Sequence, residues 1–148
     1  MTRHQETISA IVRICLLSII IILTSYLLIE KKEILGPVII GLGLLTIVPL
    51  LFMGYTIQNL KSDIIFGVID NGILAITILA GTEILGILGA ILGGLIGNAI
   101  TDGIAGIWEG HEFRKQKNNK RTALTVASAK LAGCLLGAGI VLTFAWSL

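Results

Sequence analysis

The sequence predicts an all-α integral membrane protein with five transmembrane helices, a cytoplasmic N-terminus and a C-terminus on the outside. Hydrophobic residues make up 55% of the 148 residues and charged residues only 14%, whereas about a quarter of an ordinary soluble chain is charged. The mean hydropathy is +0.95. Several apolar runs approach the roughly 20 residues that a bilayer-spanning helix needs, and the basic residues are unevenly distributed between them. This composition excludes a soluble enzyme, a disordered segment and a nucleic-acid-binding module.

The five spans are expected to form one transmembrane domain over 1–148. The predicted spans are 11–29, 34–55, 63–80, 84–108 and 123–146. The first is interpreted as a retained anchor and not a signal peptide, because its apolar run is too long and no small-x-small cleavage site precedes Glu30. The apolar stretch from Asp63 to Trp108 is too long for one crossing. A turn at Gly81-Thr82-Glu83 is therefore predicted to divide it.

The basic residues set the orientation. The side with the N-terminus carries Arg3, Arg13, Lys61, Arg114, Lys115, Lys117, Lys120 and Arg121. The other side carries Lys31 and Lys32, which are balanced by Glu30 and Glu33. Because cytoplasmic loops are rich in Lys and Arg, this bias predicts a cytoplasmic N-terminus and a multi-pass protein of the cell membrane. The basic loop 110–121 has an alternative interpretation as a lipid-binding patch.

Ionisable residues inside the predicted spans are the main functional signal, since they are costly in a bilayer. Asp70 lies seven residues past Asp63, and Asp102 lies seven residues before Glu109. At 1.5 Å per residue, both carboxylates are roughly 10 Å deep on adjacent antiparallel helices. Asn98, Asp102 and Glu109 also share one helical face.

These residues predict a path for a hard or borderline divalent cation, or for protons. The candidate metal ligands are Asp70, Asp102, Asn98, Glu109 and Glu112. Neighbouring carboxylates repel each other, which favours binding of a proton by one of them, so proton coupling is expected.

Structural interpretations remain open for the same residues. Asp70 could hydrogen-bond a neighbouring helix or pair with Lys130 of the last span. Glu83, at the predicted outer turn, is interpreted as a solvated loop residue more readily than as part of a path. A solvated helix end explains Glu109 and Glu112 nearly as well as a cytoplasmic mouth does.

Glycine stripes indicate close helix packing, as in membrane proteins generally. They comprise Gly86, Gly89, Gly93 and Gly97 in the fourth span, and Gly133 and Gly137 in the fifth. Five short helices enclose little volume, so a transport path is expected to need a second subunit, most simply in a homodimer.

The segment 66–74 (FGVIDNGIL) resembles the aspartate-glycine motif of the vacuolar iron transporter family, and 94–115 (GLIGNAITDGIAGIWEGHEFRK) resembles the glycine-rich helix that follows it there. The resemblance is to short archaeal relatives and covers roughly 63–121. It implies export of Fe²⁺ or Mn²⁺ from the cytoplasm by proton antiport through a homodimer. Asp70 matches the family's motif aspartate, and Glu109 and Glu112 fall where its second motif helix is acidic.

The leading hypothesis is therefore a small transporter of a divalent metal ion, with that ion as cargo and with no cofactor. The alternative is a non-transporting membrane subunit that scaffolds or regulates a larger complex, in which the Asp pair and Lys130 join helices. An enzyme is not expected, because no nucleophile–base pair, His-rich cluster or phosphate-binding loop occurs in the sequence.

Overall fold

The computed structural model describes residues 3–28, 30–115 and 122–147. Within its helices, the side chains at 3, 4, 6, 7, 9, 10, 13, 108–115 and 123 are not among those described. The described chain forms the helices α1 (Arg3–Leu28), α2 (Lys32–Phe52), α3 (Ile57–Lys115) and α4 (Ala123–Ser147). The all-helical prediction is confirmed.

Three helical segments are long and apolar enough to cross a membrane: Lys32–Phe52, Ile57–Ile107 and Leu124–Ser147. The apolar part of α1, Ile14–Leu28, is shorter. These segments are compatible with a membrane protein.

The helix α3 is a hairpin, because Leu85 (φ −131°, ψ 15°) and Gly86 (φ 58°, ψ −134°) leave helical geometry. Residues 57–84 are named here the first arm and residues 87–115 the second arm. A Cβ atom on Gly93 would meet the carbonyl group of Thr77 on the first arm. A straight helix would hold these two residues about 24 Å apart, so the two arms run antiparallel and in contact.

The predicted turn at Gly81-Thr82-Glu83 is wrong, since these residues are helical and the chain reverses at Leu85 and Gly86. The positive φ of Gly86 is readily adopted only by glycine. Gly81 has a different role, because a Cβ atom there would meet the carbonyl group of Gly89. Several glycines lie close together in this stretch, and the sequence does not distinguish the one that turns from those that pack.

The cytoplasmic loop predicted at 110–121 is also shorter than expected. The second arm continues as helix to Lys115, so 110–115 extend α3. Residues 116–121, which include Lys117, Lys120 and Arg121, lie outside the described residues.

The helix α4 lies between α2 and the first arm of α3. Gly133 contacts Ile64 and Gly137 contacts Val68, so α4 and the first arm run parallel. A chain that leaves the first arm must therefore return to the starting level before α4 begins, and the second arm makes this return.

The packing of α2 on α4 is antiparallel. Gly36 near the start of α2 contacts Thr143. The Cβ atom of Leu135 lies 3.1 Å from the Cβ position of Gly43. The helix α1 makes smaller contacts with α4 and α2.

A small buried cluster closes one end of the bundle, where α2 ends and where α3 and α4 begin. It comprises Leu50, Leu60 and Ala129, with Tyr55 and Ile64 packed against it. At the same end Thr122 caps α4, since the Thr125 amide donates a hydrogen bond to Thr122 Oγ1 at 3.3 Å. This capping fixes the first turn of α4. Lys130, next to the buried Ala129, lies about two turns into the helix.

Candidate functional site

One stripe of the first arm carries two carboxylates that lie toward α4. Asp63, Gly67 and Asp70 are spaced by four and three residues, which places them on the same helical face. Asp63 is only 8% exposed, and Asp70 is half-buried. A Cβ atom on Gly67 would meet the Lys130 carbonyl and would lie 2.7 Å from the Cys134 amide nitrogen. The absence of a side chain at Gly67 therefore lets α4 approach closely between the two carboxylates.

On the α4 side of this interface, the ionisable residues are Lys130 and Cys134. The Lys130 Nζ atom lies 4.7 Å from the centroid of the Phe66 ring, a cation–π distance. Asp70 and Lys130 are both close enough to the Cys134 thiol to act on it electrostatically. Asp63 and Lys130 both have interaction partners. We refer to Asp63, Asp70, Lys130 and Cys134 as the α3–α4 ionisable cluster.

The second arm presents a small-residue stripe to the first arm. Gly89, Gly93, Gly97 and Thr101 recur every four residues and are all buried, with Thr101 only 1% exposed. The Cα atom of Leu74 lies 3.2 Å from the Cβ position of Gly97. One turn further from the reversal of the hairpin, this register places Asp70 level with Thr101 and hence with Asp102. The register thus agrees with the matched depth that the sequence predicts.

Asp102 itself is on a different face. Asn98 Nδ2 donates a hydrogen bond to Asp102 Oδ2 at 3.0 Å, and both residues are exposed. The neighbouring Thr101 Oγ1 donates to the Asn98 carbonyl at 3.1 Å. Asn98 and Asp102 therefore share one face, as predicted, but this face points away from the first arm.

The predicted metal site as a whole remains a prediction. Where side chains are described, no group of three or more His, Cys, Asp or Glu residues could hold a metal ion. Glu109 and Glu112 lie on the helical backbone of the second arm, but their side chains are outside the described set. Glu83 is exposed in the last turn of the first arm, a helical position where the sequence predicts a loop.

Sequence reasoning missed Asp63 and Cys134 as members of a cluster. In the sequence Asp63 marks the start of a span, and its seven-residue spacing from Asp70 is the signal for a shared face. The position of Cys134 depends on the parallel packing of α4 on the first arm, which no local pattern in the sequence encodes. Both cysteines are free, with Cys15 exposed and Cys134 half-buried.

No family model, no curated protein and no solved structure matches the chain. The resemblance of 66–74 and 94–115 to the vacuolar iron transporter family therefore stays a prediction.

Proposed function

We propose that this chain is a five-span protein of the cell membrane with its N-terminus in the cytoplasm and its C-terminus outside. The antiparallel hairpin of α3 and the parallel packing of its first arm with α4 support two crossings by α3 and one by α4. The helix α2 supplies another crossing. The 26 residues of α1 have a length of about 39 Å, enough to span a bilayer of about 30 Å.

We propose further that the protein exports a divalent metal ion, Fe²⁺ or Mn²⁺, from the cytoplasm in exchange for protons, and that it is not an enzyme. The observation that carries this proposal is the half-buried Asp70 in an apolar helix, with Asp63 on the same face. Intramembrane carboxylates are rare and commonly mark ion or proton paths. Carboxylate oxygens are also the ligands that hard cations prefer.

In this proposal Glu109 and Glu112 collect the ion at the cytoplasmic mouth. Asp70 binds it within the membrane, whereas Asn98 and Asp102, which point away from the first arm, lie in the proposed subunit interface. The metal ion is cargo, and no resident cofactor is needed. Protons return through the same carboxylates.

A homodimer completes the proposal. The exposed Asn98–Asp102 pair lies in an apolar arm, where contact with lipid would be unfavourable. A second copy that packs on this face would cover the pair. Close approach is supported by Gly103 and Gly106, whose Cβ positions have no atom within 4 Å.

A scaffold or regulatory subunit is the second candidate. It is favoured by the position of Lys130 in the α3–α4 ionisable cluster, because an ammonium group and carboxylates in one helix interface can serve purely as structural links.

Ion uptake by proteoliposomes separates the two candidates. Vesicles that contain the purified protein are expected to take up Mn²⁺ faster than empty vesicles, and Asp70→Asn is expected to abolish this uptake while the protein still assembles. Glu83→Gln is the matched control, since Glu83 lies on the same arm but is exposed at its far end. Equal uptake by wild type and Asp70→Asn would exclude the proposed site.

A further inference from the structure

The Trp and Tyr residues of the chain lie close to the ends of its helical spans. The sequence has two of each, Tyr26, Tyr55, Trp108 and Trp146. No aromatic residue occurs in the long stretches 32–51, 67–107 and 123–143. Two exposed Phe residues follow the same distribution, since Phe52 ends α2 and Phe144 lies in the last turn of α4.

Tyr26, Phe144 and Trp146 lie at one end of the bundle. The helix α1 ends two residues after Tyr26, and α2 begins after a short turn. Gly36 near the start of α2 contacts Thr143, so this end of α2 is level with the last turns of α4. Tyr26 is 73% exposed and Phe144 is 66% exposed, so both side chains face the surroundings of the protein.

Phe52 and Tyr55 lie at the opposite end. Tyr55 packs against the buried cluster that includes Ala129 of α4, and Phe52 is 89% exposed at the end of α2. The backbone of Trp108 reaches this end as well, because Trp108 lies seven residues past Thr101 on the second arm.

The separation of the two aromatic levels is close to the thickness of a bilayer core. Along α4, Trp146 is about 26 Å from Ala129, which marks the level of Tyr55. The hydrocarbon core of a bilayer is about 30 Å thick. Trp and Tyr combine an apolar ring with a polar N–H or O–H group, and both are enriched where hydrocarbon meets the lipid headgroups.

We infer that two aromatic belts fix the depth of this protein in the bilayer, each at one headgroup boundary. The first belt comprises Phe52 and Tyr55, and the second comprises Tyr26, Phe144 and Trp146. The partner of both belts is the headgroup region, whose ester and phosphate oxygens accept hydrogen bonds from Tyr hydroxyl and Trp indole groups. This inference rests on the proposed location in the membrane and is independent of metal transport.

The belts also set the depth of the ionisable residues. Lys130 is next to Ala129 and is therefore at the level of the first belt. Asp63 is level with Lys130, because both lie seven residues before the level that Asp70 and Gly137 share. At this boundary, water and headgroups can solvate charged groups. Asp70 lies about 10 Å deeper, so it is the carboxylate of the first arm that is placed within the hydrocarbon core.

Fluorescence quenching by brominated lipids tests the belts. The full chain is placed in phosphatidylcholine vesicles whose acyl chains carry bromine either near the ester group or near the methyl end. Trp108→Phe leaves Trp146 as the single Trp. A chain with Trp108→Phe and Trp146→Phe is free of Trp, and Phe52→Trp in that chain reports on the first belt. At both belts, bromine near the ester group should cause the larger loss of fluorescence.

Ile100→Trp in the same Trp-free chain is the matched control. Ile100 is 47% exposed and precedes Thr101, which is level with Asp70, roughly midway between the belts. Bromine near the methyl end should therefore cause the larger loss of fluorescence at this position.

The outcomes separate the inference from the proposed function. Shallow quenching at both belts with deep quenching of Ile100→Trp supports the inference. Deep quenching at either belt, or the same quenching profile at all three positions, overturns the belts and leaves the proposed membrane location standing. No quenching by either lipid at any position contradicts the membrane location, and the belts with it.

Discussion

The two arms of α3 are similar in composition, yet they lie in very different surroundings. The first arm contacts α4 on one side and the second arm on another, and most of its residues from Asp63 to Leu79 are buried or half-buried. The second arm contributes one stripe to the hairpin and leaves its large aliphatic side chains exposed, as with Ile87 at 83% and Leu95 at 65%. Polar residues on the first arm therefore lie against other helices of the chain, whereas Asn98 and Asp102 on the outer face of the second arm are exposed.

This difference separates the roles of two predicted ligands. Asp70 shares its interface with Lys130 and Cys134, where a charge can be compensated within one chain. Asp102 is hydrogen-bonded only within its own turn as far as the described contacts show, through Asn98. In the proposed function, the cation therefore binds on the first arm and a second copy packs on the outer face of the second arm. The following substitutions test this difference.

The largest effect is expected at Gly67. Gly67→Leu would drive a side chain into the backbone of α4 at Lys130 and Cys134, and it should destabilise the protein by more than about 3 kcal/mol, the upper range for overpacking. Gly72→Leu is the matched control on the same arm, because no atom lies within 4 Å of its Cβ position. Unfolding by SDS titration in mixed micelles measures both. Equal losses for the two variants would show that α4 does not pack where this structure has it.

The next largest effect is expected at the reversal of the hairpin. Gly86→Ala places a Cβ atom on a residue with φ 58° and ψ −134°, and the backbone strain should cost about 1–3 kcal/mol. Gly41→Ala, in open space on α2, should be neutral or slightly stabilising. The same SDS titration gives the comparison, and a stabilised Gly86→Ala would contradict a turn at this residue.

A smaller effect is expected at the start of α4. Thr122→Ala removes the oxygen that accepts a hydrogen bond from the Thr125 amide and should cost about 1 kcal/mol. Thr122→Ser keeps that oxygen and should retain most of the stability. If neither substitution changes the free energy of unfolding, the cap does not stabilise the start of α4.

The smallest effect on the monomer is expected at Asn98. Asn98→Ala removes one hydrogen bond to Asp102 and should change the free energy of unfolding by about 0.5–1.5 kcal/mol. The proposed dimer should nevertheless weaken, because the Asp102 carboxyl group would then be less well satisfied in the interface. Single-molecule photobleaching in liposomes counts the subunits. A dimer fraction equal to that of the wild type would show that Asn98 does not contribute to the dimer interface.

Apolar periodicity and length suffice to predict the helices of this chain, because a membrane segment has few alternatives to a helix. They also predict the paired depths of Asp70 and Asp102, since each lies seven residues from an end of the stretch Asp63–Glu109. The two are level in the structure because the chain reverses at Leu85 and Gly86, midway between them. The position of the turn was missed because Gly81, Gly86 and Gly89 look alike in sequence, although only one has a positive φ. The α3–α4 ionisable cluster was missed for a different reason. It joins residues that are far apart in the chain, and only the direction of α4 brings them together.

In the proposed function, the carboxylate of Asp70, in the interface between the first arm and α4, binds the cation. An experimental structure of the protein with Mn²⁺, located by its anomalous scattering, shows whether it does. An anomalous peak is expected about 2–2.6 Å from an Asp70 carboxylate oxygen. Crystals saturated with Mn²⁺ that show no peak beside that carboxylate would contradict the proposed site.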